Sequence, residues 1–244
     1  MPEHKNPNEN KKLAPSQFSY LISILIAFLG PILFLFKRVG GDQHKKALAI
    51  STLIIGVLGW TWSWIVSSNG WWTFGEKYLL GFEVIPHLPI EEVLFYPLGG
   101  LLCILFYLMG SRWANAVNAA VYWAFILIGT AVFSTLAWLT RAHGPYYVVS
   151  QIILYNTLCT IFLAPVVAKR VNLAGLATPI AILSVVGFAW NFIGFNYGWW
   201  AYHATMHINI GVVPIDDFNF FLFAPSAAVS IFLAVRRLTE PSPQ

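Results

Sequence analysis

The chain has 244 residues, of which 58% are hydrophobic and only 10% charged, with a mean hydropathy of +0.67. A soluble globular domain of this size does not carry such a balance. The net charge of +4 lies in short loops between apolar stretches rather than on one basic face, which excludes a nucleic-acid partner. Cys103 and Cys159 both fall inside apolar stretches and build neither a disulfide framework nor a metal site.

In chain order, the first 16 residues are polar and contain proline; they read as a disordered tail rather than a cleavable signal peptide. Crossing ~30 Å of hydrocarbon takes ~20 apolar residues as a helix. Seven stretches qualify, at roughly 17–36, 47–66, 90–110, 114–139, 147–167, 173–195 and 218–235. The expected fold is therefore an all-α integral membrane protein with seven transmembrane helices. The loops between them are short and leave no room for a soluble domain. Lys5, Lys11, Lys12, Lys77 and Arg141 fall on the side of the N-terminus, whereas Lys37, Arg38, Lys45, Lys46, Arg112, Lys169, Arg170, Arg236 and Arg237 fall on the other. That excess puts the N-terminus outside and the C-terminus in the cytoplasm.

The chain repeats itself. Lys37-Arg38-Val39 matches Lys169-Arg170-Val171 at an offset of 132. Gly59, Trp62, Ile65, Gly70, Trp71 and Trp72 match Gly187, Trp190, Ile193, Gly198, Trp199 and Trp200 at 128. Pro89, Ile90 and Phe95 match Pro214, Ile215 and Phe220 at 125. The offset falls only between spans, so the series signals a duplication whose second copy has shorter loops. The division is a tail over 1–16, a first repeat over 17–110, a linking fourth span over 111–143, a second repeat over 144–237 and a tail over 238–244. Odd spans match odd spans, so the copies share one orientation, a parallel 3+1+3 arrangement about a pseudo-twofold axis along the membrane normal.

Four of the ten acidic residues lie in two matched segments, Pro89-Ile90-Glu91-Glu92 and Pro214-Ile215-Asp216-Asp217. Proline at a helix start followed by acids is ordinary capping chemistry. Ionisable groups at membrane depth are nevertheless rare and mark sites or pathways, and two pairs at matched places favour a site. If the repeats pack face to face, the pairs converge. Neighbouring helical residues point ~100° apart, so one carboxylate of each pair should face a pocket while the other bonds locally. Glu91 is the first candidate for an acid, since glutamate reaches further than aspartate, and Glu92 is the second.

The surroundings of these acids are aromatic. Glu92 has Phe95 and Tyr96 at i+3 and i+4, and Asp217 has Phe220 and Phe221. Trp62 and Trp190 recur deep in both halves and fit the lining of a cavity. Trp71-Trp72 and Trp199-Trp200 fit either that lining or an interfacial belt. Ser63 and Asn191 stand beside Trp62 and Trp190 at equivalent positions and are candidate site residues, against the alternative of bonding to backbone or a neighbouring helix. His87, His203 and His207 flank the site without metal-ligand spacing and read as interfacial hydrogen-bonding residues. Carboxyl groups among ring faces in a dry pocket suit the stabilisation of a developing carbocation. Burial there favours the neutral acid and the helix dipole favours the carboxylate; a proton donor needs the first to prevail.

Pro-Ile-Glu-Glu followed by an aromatic-rich helix, after a Gly-Trp-rich loop, resembles the small integral-membrane lycopene cyclases. These occur as heterodimers in some bacteria and as fused single chains in archaea, other bacteria and fungi. The resemblance covers about residues 17–237 and implies catalytic roles for Glu91, Glu92, Asp216 and Asp217. Members of that family usually carry an aspartate where Ser63 stands, and Glu-Asp where Asp216-Asp217 stands. The implied reaction is cyclisation of an acyclic end group of a lycopene-like polyene, arriving from the lipid. Protonation of a double bond, ring closure and loss of a ring proton leave an isomer, so no redox cofactor is expected, and no Gly-rich dinucleotide fingerprint is present. A carotenoid hydratase using the same cation and a proton-coupled transporter are the alternatives; a retinal photoreceptor is disfavoured because 218–235 holds no lysine.

Overall fold

A computed structural model describes residues 18–113, 119–161, 163 and 172–240. The expected N-terminal tail with Lys5, Lys11 and Lys12, the start of the fourth span at 114, and residues 164–171 with Lys169, Arg170 and Val171 lie outside the described residues, as do residues 241–244. Among the described residues, six helices are long and apolar enough to cross a membrane. They are α1 (Ser19–Arg38), α2 (Lys45–Ser68), α3 (Ile90–Gly110), α4 (Ala119–Leu139), α6 (Leu173–Tyr197) and α7 (Asp216–Thr239). The fifth predicted span begins as an α-helix over Tyr146–Gln151 and continues as a π-helix over Ile152–Ile161; together they are α5. A shorter π-turn, Leu25–Leu29, interrupts α1 at the matching place. The protein is thus predominantly helical, in keeping with a multi-pass membrane protein.

Packing pairs the two halves. Helix α2 packs on α3 and α7, α6 packs on α7 and α3, and α3 meets α7 between them. Helix α1 lies against α3 as α5 lies against α7, and α4 covers α5 and α7. Side chains such as Ile26, Leu33, Leu53, Ile128 and Val185 point outward and exposed, which suits hydrocarbon rather than water.

Both α2 and α6 stop at a glycine. Gly70 and Gly198 take φ of 66° and 72°, a left-handed conformation that glycine adopts without steric cost. The chain then doubles back, with Trp71 N–H donating to Val66 O at 2.9 Å and Trp199 N–H to Gly194 O at 2.8 Å. This is the physical sense of the repeated Gly-Trp-Trp.

The reversed chains meet as a two-stranded antiparallel ribbon, β1 (Trp72–Phe74) with β4 (Trp200–Tyr202). Trp72 stands opposite Tyr202, and Phe74 opposite Trp200. Gly75 N–H donates to Trp199 O at 2.7 Å, and His203 N–H to Trp71 O at 2.8 Å. At the repeat offset of 128 these partners exchange places, so the register maps onto itself. A hairpin precedes each acidic pair: β2 (Glu83–Ile85) with β3 (Leu88–Pro89), and β5 (Asn209–Ile210) with β6 (Val213–Pro214). Each loop carries two left-handed positions, Gly81 and His87 in one and His207 and Gly211 in the other. His87 and His207 therefore occupy turn positions, while His203 Nε2 meets Thr73 Oγ1 at 2.9 Å.

Candidate active site

All four acids are buried, but the two members of each pair do different things. Glu91 Oε1 accepts from Leu80 N–H at 2.7 Å, and both oxygens of Asp216 accept from Met206 N–H at 3.2 Å. These outer acids tie the preceding loop to the first turn of α3 and of α7. One residue on, and about a third of a turn round the helix, Glu92 and Asp217 face a common cavity.

Each inner acid is held by one residue from the first helix of its repeat and one from the second. Glu92 accepts from the Tyr20 hydroxyl on one oxygen and from Ser63 Oγ at 3.2 Å on the other. Asp217 accepts from the Tyr147 hydroxyl at 3.1 Å and from Asn191 Nδ2 at 2.7 Å. Ser63 and Asn191 were expected near the site; the tyrosines were not. A signal was present, because Tyr20 and Ser23 match Tyr147 and Ser150 at an offset of 127.

The serines explain why both residues repeat. Ser23 Oγ donates to Tyr20 O at 2.6 Å and Ser150 Oγ to Tyr147 O at 2.7 Å. Each also accepts an indole N–H from the opposite half, Trp190 to Ser23 at 3.1 Å and Trp62 to Ser150 at 2.9 Å. The tryptophans are therefore crossed. Trp190 packs 6.1 Å from Tyr20 and 5.5 Å from Phe28, whereas Trp62 packs 5.6 Å from Tyr147 and 5.7 Å from Tyr155, between ring centroids. Each carboxylate station takes a wall from the other repeat.

The cavity is lined mainly by aromatic and aliphatic side chains with few polar groups, the make-up of a site for an apolar small molecule. Phe95 stacks on Trp190 at 5.4 Å and Phe220 on Trp62 at 6.5 Å. Tyr96 and Phe221 also line it and lie where a Cβ on Gly59 or Gly187 would stand, so both glycines are needed for this approach. Ser63 is not part of the lining and reaches the site through Glu92. Glu91 and Asp216 are likewise outside it. Of the paired tryptophans, Trp72 and Trp200 are buried and line the cavity, and Trp199 is buried 5.9 Å from Tyr20. Only Trp71, partly exposed and stacked on Tyr146 at 5.5 Å, fits the interfacial belt. Tyr202, on β4 outside the spanning helices, rests on Tyr147 at 4.4 Å between ring centroids. Burial, then the charge of Asp217, push its hydroxyl well above the usual tyrosine range, so it stays protonated beside the site.

Several apolar helices around a ring-lined cavity with two inward carboxyl groups are consistent with a multi-pass membrane protein that holds an apolar pocket. The lycopene cyclase family model matches residues 17–110 and 144–235, well over half of the sequence, and the chain belongs to the lycopene cyclase family. No curated protein and no solved structure matches it. Membership supports a role in carotenoid biosynthesis as a cyclase, with a carotenoid substrate and a place in the membrane.

Proposed function

We propose that this chain is an acid-catalysed, non-redox carotenoid cyclase in which Glu92 gives a proton to the substrate and Asp217 takes one back. The observation that carries the reading is the pair of buried carboxyl groups on one apolar, ring-lined cavity. Glu92 protonates the terminal carbon–carbon double bond of an acyclic end group. The resulting cation closes onto the next double bond, forming one carbon–carbon bond and moving the charge to a ring carbon. Asp217 removes a proton from a neighbouring ring carbon, and that electron pair becomes the ring double bond. The product is an isomer of the substrate, and a proton passed from Asp217 to Glu92 resets the site.

Glu92 replaces Glu91 as the acid because Glu92 lines the cavity, whereas Glu91 does not and its Oε1 accepts from Leu80 N–H. Tyr20 and Ser63 are hydroxyls that can accept as well as donate, which suits a neutral acid. Both oxygens of Asp217 receive donors, one from an amide nitrogen, the pattern a carboxylate takes. The rings of Phe95, Trp190, Trp62 and Phe220 offer faces to the intermediate cation.

The same reading takes α1–α3 and α5–α7 as parallel copies joined by α4, with the N-terminus outside. The matched packing of α2 and α6 and the self-matching register of β1 and β4 support it. A cysteine placed at Glu76 or Phe82 should react with an impermeant thiol reagent in intact cells, and one at Lys45 or Arg112 only after permeabilisation. The native Cys103 and Cys159 are buried and give little background. The reverse labelling pattern would invert the orientation.

The polyene is expected to arrive laterally from the lipid, one end at a time, since both carboxyl groups serve one cavity. Expressed in a lycopene-accumulating host, the protein should yield a ring-bearing isomer, with the monocyclic product building up before any bicyclic one. An alcohol as sole product would make it a hydratase, no conversion would favour the transporter, and a bicyclic product without an early monocyclic one would contradict one end at a time.

A further inference from the structure

We infer that Tyr147 and Asn191 are positioning residues that set the double-bond position in the product, by clamping Asp217 from two helices. The inference rests on Asp217 being the base, as proposed above. After ring closure, the cationic carbon is flanked by three carbons that carry hydrogen, each one bond away. Loss of a proton from each gives a different double-bond isomer from the same cation. The choice therefore depends on where the base oxygen stands, and catalytic geometry is sensitive at about 10²-fold per ångström of misplacement.

The Asp217 station is built for fixity. Aspartate has one methylene fewer than Glu92 and so fewer rotamers. Its Oδ1 is held by Tyr147 from α5 and its Oδ2 by Asn191 from α6, at 3.1 and 2.7 Å. Two donors on separate helices fix the plane of the carboxylate as well as its place. Tyr147 is itself pinned: it is 2% exposed, its backbone N–H donates to Ala204 O at 3.0 Å, and its ring packs 4.4 Å from Tyr202 and 5.6 Å from Trp62. The Glu92 station also has donors on two helices, Tyr20 and Ser63, but its side chain is one methylene longer. Such a group can follow a moving end group, and an acid that protonates a single terminal carbon needs reach more than rigidity.

The test is the ratio of double-bond isomers at low conversion, measured at equal protein level for wild type, Tyr147→Phe, Asn191→Ser and Tyr20→Phe. Asn191→Ser installs the residue that the first repeat uses at the equivalent position, so it keeps the inference testable should Tyr147→Phe fold poorly. Tyr147→Phe and Asn191→Ser should change the isomer ratio by about tenfold, the scale of one lost hydrogen bond to a charged group. Tyr20→Phe should slow turnover and leave the ratio unchanged. An unchanged ratio in both Asp217-side variants overturns the inference, as does a shift of equal size in Tyr20→Phe. A purely structural role would lower protein level or total rate and leave the ratio alone. If Asp217→Asn turns over at the wild-type rate, the underlying assignment of the base fails instead, and that result is separable from the isomer ratio.

Discussion

Glu92→Gln should lower cyclisation by ~10²–10⁴-fold, the loss typical of removing a general acid. Glutamine keeps the size of the side chain and can still bond both hydroxyls, accepting from one on its oxygen and donating to the other from its nitrogen, so the protein should reach the membrane at its usual level. What it lacks is the proton, and without protonation no cation forms. Unconverted acyclic substrate is then the only species to accumulate. Glu91→Gln is the matched control. Its amide oxygen can still accept from Leu80 N–H, so the loop stays tied to α3, at a cost of about 1 kcal/mol for weakening a charge-assisted bond. The measurement is product formed per unit of membrane protein for the two variants side by side. If Glu91→Gln loses activity at that scale and Glu92→Gln does not, the acid is Glu91 after all.

Asp217→Asn should also reduce the ring product by ~10²–10⁴-fold, but at a later step. The cation still forms and closes, and finds no base where one should be. It then reverts, or is captured by a water molecule to give a cyclic alcohol. A cyclic alcohol in Asp217→Asn, absent from Glu92→Gln, separates the two steps within one experiment. If instead Glu92→Gln yields the alcohol and Asp217→Asn only unreacted substrate, the two carboxyl groups have exchanged roles. Asp216→Asn should behave as Glu91→Gln does, since Asp216 receives Met206 N–H outside the cavity.

Much of this layout was legible in the sequence because membrane spans, helix stops and duplications leave long, ordered patterns. The series from Gly59 to Trp72 and its copy marked the helix ends, and the acids beside Phe95 and Phe220 pointed to the cavity that Glu92 and Asp217 line. The choice between Glu91 and Glu92 was harder, because it depends on where α3 begins. A shift of one residue in that start rotates every side chain by ~100°. Phe95 and Tyr96, at i+3 and i+4 from Glu92, pointed to the face that proves to line the cavity. Tyr20 and Tyr147 escaped because they sit on first helices, far along the chain from the tryptophans and acids, although their Tyr-x-x-Ser spacing repeats. The crossing of Trp62 and Trp190 has no local signature at all. It is a tertiary exchange, and only packed helices reveal which serine each indole reaches. The π-helix of α5 was equally hidden, since an i→i+5 ladder leaves no hydrophobic period distinct enough to read in ten residues.

The ribbon of β1 and β4 says something about how such a molecule can arise. Its register is self-complementary, with each strand presenting to the other what it receives, as in an isologous contact between identical subunits. A chain bearing one copy would meet the same geometry by pairing with its twin, with its tryptophan already reaching across. Fusion of the two copies would then have freed each to specialise, one toward glutamate with hydroxyl partners and the other toward aspartate clamped by an amide. On that view the difference between Glu92 and Asp217 is a division of labour that a symmetric pair of chains could not have had.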